Sequence, residues 1–149
     1  MDGRAGPPSV PGMKVQRAEY PATLAGHEAA RDFFMPCFMG PEAQSNELLW
    51  VAHLDEQARC IHLERYADGR EGAVDVPVRQ IVADAARLGS AGVVLAHNHP
   101  SGDATPSTAD CQATRTLARA AEAIDLALVD HLIFAARGEC RSLRRMGLL

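Results

Sequence analysis

Leu95-Ala96-His97-Asn98-His99-Pro100-Ser101-Gly102-Asp103-Ala104-Thr105-Pro106-Ser107-Thr108-Ala109-Asp110 is the stretch on which the reading of this chain turns. An apolar run, Gly92 to Leu95, leads straight into two histidines two positions apart. In an extended chain, side chains at i and i+2 point to one face, so His97 and His99 can reach one ion together. A loop rich in Pro, Gly and Ser follows, long enough to fold back, and Ser107 to about Ile124 reads as a helix with Asp110 in its first turn. Two neutral imidazoles and a carboxylate suit zinc and leave a fourth tetrahedral position open, the mark of a catalytic rather than a structural site. Zinc lowers the pKa of a bound water to roughly 7 and polarises a carbonyl under attack. Ser107-x-x-Asp110 is also a capping signature, and the two roles are compatible, because the first turn of a helix favours an anion. Without an HExxH motif, the carboxylate that moves the water proton has to come from elsewhere in the chain.

Outward from this stretch, the chain alternates helical and strand patterns. Residues 25–38 carry Ala29, Ala30, Phe33 and Phe34 roughly on one helical face. Glu47 to Asp55 reads as a buried strand, and Arg59 to Tyr66 as its hairpin partner, with Ile61 and Leu63 on the dry side and Cys60, His62 and Glu64 on the wet one. Val78, Ile81, Val82, Ala85 and Leu88 repeat at helical spacing, with Pro77 at the start and Gly89 placed to cap the end. Asp130 to Ala136 reads as a strand, and a turn at Arg137-Gly138 leads into a last strand near Cys140 to Leu143. The order α, β, β, α, β, α, β, β predicts an α+β domain, a mixed central sheet flanked by helices. Residues 1–14, rich in Pro and Gly, are expected to form a disordered tail, with one folded domain over 15–149.

Composition narrows the function classes. The 149 residues carry a net charge of −4, with 47% hydrophobic and 5% aromatic residues. That total gives no basic footprint for nucleic acid, and few rings on which bases could stack. The arginines Arg137, Arg141, Arg144 and Arg145 read as scattered surface charges. Cys37, Cys60, Cys111 and Cys140 form no CxxC pair and are expected to be reduced thiols. No signal peptide and no run near the 20 or so apolar residues of a membrane span is visible, so a cytoplasmic protein is expected. A zinc nucleobase deaminase needs H-x-E and a later P-C-x-x-C, whereas position 99 is His and no PCxxC exists.

His97-x-His99, seven residues, then Ser107-x-x-Asp110 resembles the JAMM motif of the JAB/MPN metalloprotease superfamily. The longer text LAHNHPSGDATPSTAD, the run Leu128-Val129-Asp130-His131-Leu132-Ile133 and the terminal Gly147-Leu148-Leu149 are similar to its RadC branch, over about residues 25 to 149. The resemblance implies a JAB/MPN (cytidine-deaminase-like) architecture, a zinc ion on His97, His99 and Asp110, and hydrolysis of an amide bond in a peptide or protein substrate. It also implies that Ser107 supports the bound water or the oxyanion, and that Glu47, which opens the strand upstream, serves as general base. Glu42, Glu56 and Glu64 compete for that last role from a loop, a turn and a wet face. His131, in the family's DHL text, would hydrogen-bond beside the site. His27, His53 and His62 have no partner at ligand spacing and read as structural, and Cys111 is expected to point away from the metal. RadC proteins usually carry a helix-hairpin-helix region before this domain, for which this chain is too short, so a nucleic-acid role stays a weaker expectation. A DNA-associated accessory protein and a non-catalytic interaction module are the competing readings.

Overall fold

The computed structural model describes residues 22–68 and 75–149. The expected tail over 1–14 and the loop signals at 69–72 lie outside the described residues.

Helix α1 spans His27–Phe34 and buries Ala30 and Phe34. Pro36 cannot supply an amide to continue it, so the chain tightens into a 3-10 turn over Met35–Phe38. The single helix expected over 25–38 is therefore two pieces. A one-turn helix, α2 at Glu42–Ser45, which the sequence pattern does not signal, precedes strand β1 at Leu48–Leu54. Strand β2 follows at Cys60–Asp68, α3 at Val78–Leu88 and β3 at Gly92–Asn98. Helix α4 spans Thr108–Glu122, β4 Ala127–Phe134 and β5 Cys140–Ser142. Gly89 closes α3 in the left-handed conformation, at φ 69°, the backbone that the C-terminal cap requires.

The five strands form one mixed sheet in the order β2-β1-β3-β4-β5. Only β3 and β4 run parallel, joined by α4 as the crossover; the other pairs are antiparallel. One face of the sheet packs Trp50, Ala52, Val94, Leu132 and Phe134 against Leu24, Ala30, Phe34 and Cys37. The other packs Leu49, Val51, Val93 and Leu95 against Ile81 and Ala85 of α3 and Leu117 and Ala121 of α4. Strands β1 and β3 are covered on both faces, which is why they read as unbroken apolar runs rather than as alternation.

The hairpin partner departs from the expected pattern. Cys60 and Leu63 are both 2% exposed, whereas Ile61 is 40% exposed. The register skips Ile61 between the pairs His53↔His62 and Leu54↔Cys60. That extra residue flips the alternation and turns Cys60 inward.

The topology gathers four chain segments at one end of the sheet. Because β1 and β3 are antiparallel, Leu49 sits opposite His97, and the start of β1 lies beside the end of β3. The parallel β4 ends there too, with Ile133 beside His97, and the Phe134 carbonyl accepts from the His99 amide. The loop beyond His99 turns at Gly102, whose φ of 94° is left-handed and whose amide donates to the His99 carbonyl. It then delivers the N-terminus of α4 back to the same place.

Candidate metal centre

Ser107 caps α4. Its Oγ accepts from the Asp110 amide at 3.0 Å, and the Asp110 Oδ2 accepts from the Ser107 amide at 2.8 Å. This reciprocal box fixes the Asp110 rotamer and turns its carboxylate toward the two histidines. His99 Nε2 lies 3.1 Å from Asp110 Oδ2, and His97 Nε2 lies 3.3 Å from Asp110 Oδ1. The two Nε2 atoms are 3.1 Å apart. Ligand atoms around a tetrahedral zinc at about 2.0–2.1 Å are separated by about 3.3–3.4 Å. The donor set and its spacing therefore fit the ion.

The outer partners of both rings aim their lone pairs inward. The Asp103 carbonyl can only accept, so at 2.8 Å it takes the Nδ1 proton of His99 and leaves Nε2 bare when the ring is neutral. For His97 the partner is another imidazole. The Thr114 hydroxyl donates to the Asp110 carbonyl at 2.7 Å, so its oxygen accepts from His131 Nδ1 at 2.7 Å. His131 Nε2 then accepts from His97 Nδ1 at 2.7 Å, and His97 Nε2 faces the centre with its lone pair. Burial, then the neighbouring His97, pushes His131 well below its ordinary pKa, which keeps it neutral as this chain requires. Outer partners that fix the tautomer of a ligating histidine are a general feature of metal sites.

The electrostatics favour a bound cation. Burial raises the Asp110 carboxyl, but the imidazoles of His97 and His99, which donate to it whenever their Nε2 atoms carry protons in place of a metal, outweigh burial and hold the group below the usual carboxylate range. The hydrogen bond with Asp110 raises His99 against the effect of burial, so a proton competes with a cation for that nitrogen.

Glu47 stands one residue before β1, with its Oε1 4.0 Å from His97 Nε2 and its side chain 13% exposed. Glu47, His97 and His99 offer ligand atoms within 4.8 Å of one another and can hold a metal. Two sets of three thus share the histidines; the one closed by Asp110 is tighter, and Glu47 stands further back. The competing glutamates are engaged elsewhere. Glu42 is held by Arg65 through both terminal guanidinium nitrogens, Glu64 pairs with His62 at 2.6 Å, and Glu56 is exposed in a turn.

The structure thus brings together Glu47, His97, His99, Ser107 and Asp110, with His131 behind His97. Thr114 and the Asp103 carbonyl are partners that sequence reasoning missed. A threonine four residues after a candidate ligand on a helix is the one signal that could have found the first. His53 lies apart, buried against Ser90 and Tyr66.

A mixed sheet covered by helices, with this constellation where β3 gives way to α4, defines a JAB/MPN-type α+β domain. The model of the RadC-like JAB domain matches residues 24–148, and the chain belongs to that family. It is 33% identical over 139 residues to a UPF0758 protein of Bordetella avium, covering 91% of this chain and 61% of the relative. It is 37% identical over 122 residues to a UPF0758 protein of Pelodictyon phaeoclathratiforme, covering 82% of this chain and 54% of the relative. The chain thus spans between half and two thirds of the length of these relatives. Among the described residues no helix is long and apolar enough to cross a membrane.

Proposed function

We propose that the domain is a zinc-dependent hydrolase of the JAMM type that cleaves an amide bond, peptide or isopeptide, in a peptide or protein substrate. The observation that carries this reading is the convergence of His97, His99 and Asp110, at 3.1–3.3 Å, with the Glu47 carboxylate at 4.0 Å. His97, His99 and Asp110 would hold the ion. When bound, zinc supplies Lewis-acid polarisation of the substrate carbonyl and activation of water near neutral pH. Glu47 Oε1 takes the proton of the attacking water and returns it to the leaving amine nitrogen. Ser107 Oγ accepts from the Asp110 amide and keeps its own hydroxyl proton, which it donates to the oxygen that gains charge. The outer partners Asp103, His131 and Thr114 keep both imidazoles in the ligating tautomer.

The distance of Glu47 from His97 Nε2 also supports a catalytic over a purely scaffolding role, since a base has to reach the site through at most one water. Metal analysis tests the reading. One zinc per chain is expected in the wild type and in Glu47→Gln, and none in Asp110→Ala; cleavage of peptide and isopeptide-linked substrate panels should be lost in both variants. A wild-type chain that takes up no zinc on titration sinks the proposal.

A further inference from the structure

Between the two candidate ligands stands Asn98, which is 4% exposed. Alternation along β3 turns its side chain to the opposite face from His97 and His99, so it takes no part in the centre itself. There it makes three hydrogen bonds. Its Oδ1 accepts from the Leu48 amide at 2.7 Å, and its Nδ2 donates to the Asn46 carbonyl at 3.0 Å and to the Ala43 carbonyl at 2.7 Å. Asn46 and Leu48 are the two neighbours of Glu47. The carboxamide therefore clamps the backbone on both sides of the glutamate and ties it, through Ala43, to helix α2.

The clamp has a reason in the local sequence. Helix α2 is a single turn, and the backbone turns from helical at Ser45 to extended at Asn46, φ −129°, before β1 begins. Among the described residues, the ladders of β1 begin at Leu48 and Leu49, so Glu47 has no strand partner there. A short polar side chain with one acceptor and two donor hydrogens can bridge such a junction. Aspartate cannot, for lack of donors, and serine cannot reach three partners at once.

We infer that Asn98 is the positioning residue of Glu47: it reaches through β3, from between the two histidines, and sets the carboxylate at its distance from the metal centre. This inference rests on the hydrolase reading of the site, and it assigns to the residue inside the His-x-His pair a role separate from metal binding.

The test uses the whole chain, its Asn98→Ala, Asn98→Asp and Glu47→Gln variants, and the double variant Asn98→Ala/Glu47→Gln. Cobalt(II) serves as the probe ion. In the metal-free proteins, the Leu48 amide of Asn98→Ala should exchange its hydrogen about tenfold faster than in the wild type. Asn98→Asp keeps the acceptor for that amide but sets a carboxylate against the Ala43 and Asn46 carbonyls, so relative to the β4 amides of the same protein its Leu48 exchange should stay below that of Asn98→Ala; unchanged β4 exchange in Asn98→Ala controls for global unfolding. Cobalt(II) affinity should change less than about threefold in Asn98→Ala, because the ligands are intact. The visible spectrum of its cobalt(II) complex should shift toward that of Glu47→Gln, and the double variant should match Glu47→Gln alone. An Asn98→Ala spectrum identical to wild type, with Glu47→Gln distinct, overturns the inference and leaves the hydrolase reading standing. So does unchanged Leu48 exchange. A wild-type chain that binds no cobalt(II) overturns both.

Discussion

Two buried histidines lie on the same face of this sheet and have opposite fates. His97, near the end of β3, and His53, near the end of β1, are 1% and 0% exposed, and a chain of polar partners runs from each. The chain from His53 closes on itself. Tyr66 donates to Asp84 at 2.6 Å and accepts from His53 Nε2 at 3.1 Å, and His53 Nδ1 accepts from Ser90 at 2.9 Å. Every donor there meets an acceptor, and the network needs nothing more. The chain from His97 is just as well satisfied on its outer side, through His131 and Thr114, but it ends on a bare nitrogen that faces another nitrogen and a carboxylate. A buried histidine is common; one whose partners push its lone pair toward other lone pairs can hold a cation.

Exchanging the two positions is the sharpest way to break this contrast. His97→Gln should weaken zinc binding by more than about 100-fold, beyond the effect of removing an outer partner, whereas His53→Gln should leave zinc affinity unchanged. Titration against a competing chelator measures both. Comparable losses in the two variants would mean that zinc binding follows general stability rather than the geometry of the centre.

Acid stability gives His53 a readout of its own, although buried His131 in the other region has the same sign of shift. Burial, then repulsion from His62, pushes His53 down to about 4. Between an unfolded value near 6.5 and the folded value, the unfolded chain binds the proton and the folded chain does not. Stability therefore falls as pH drops through that window, and His53 accounts for about 3 kcal/mol of the loss. Thermal melts of the chain from pH 7 to pH 4 should show this slope, and His53→Gln should flatten it. Parallel curves for the two proteins would show that His53 is not the group responsible.

How much of this was legible in the sequence follows from what each feature depends on. The element order was readable because helices α3 and α4 carry local stop and start signals, Gly89 and Ser107, and because β1 and β3 are apolar runs. Strand β4 begins at Ala127, three residues before the expected Asp130, because Ala127 is exposed and Leu128 and Val129 give no alternation to read. The flip at Ile61 was hidden for another reason: a bulge is a property of pairing between two strands, and a single strand shows only its own period. The residues that the structure brings together at the candidate centre are the ones that spacing and resemblance single out. Their distances were not legible, since these depend on the antiparallel placement of β1 beside β3. The bonds of Asn98 were out of reach for the same reason, because its partners lie 50 to 55 positions away, and Thr114 was signalled only by its spacing from Asp110.

The finest test concerns the proton that travels along the outer chain. His131→Phe removes the acceptor for His97 Nδ1 and should cost about 10–100-fold in zinc affinity, as loss of an outer partner does. Thr114→Val is subtler. Without the hydroxyl oxygen, His131 Nδ1 has nothing to donate to, and the ring is free to carry its proton on Nε2 instead. It would then donate to His97 Nδ1 and force the His97 proton onto Nε2, where it points at the metal. Zinc has to reverse that arrangement on binding, so affinity should fall, but by less than in His131→Phe, because the relay can still be restored. Thr114→Ser keeps the hydroxyl and should bind like the wild type. Nitrogen chemical shifts of the His97 and His131 rings in the metal-free proteins would report the tautomers directly. If Thr114→Val leaves both rings with their wild-type tautomers, the helix hydroxyl does not set the direction of the chain, and His131 alone is what aims His97.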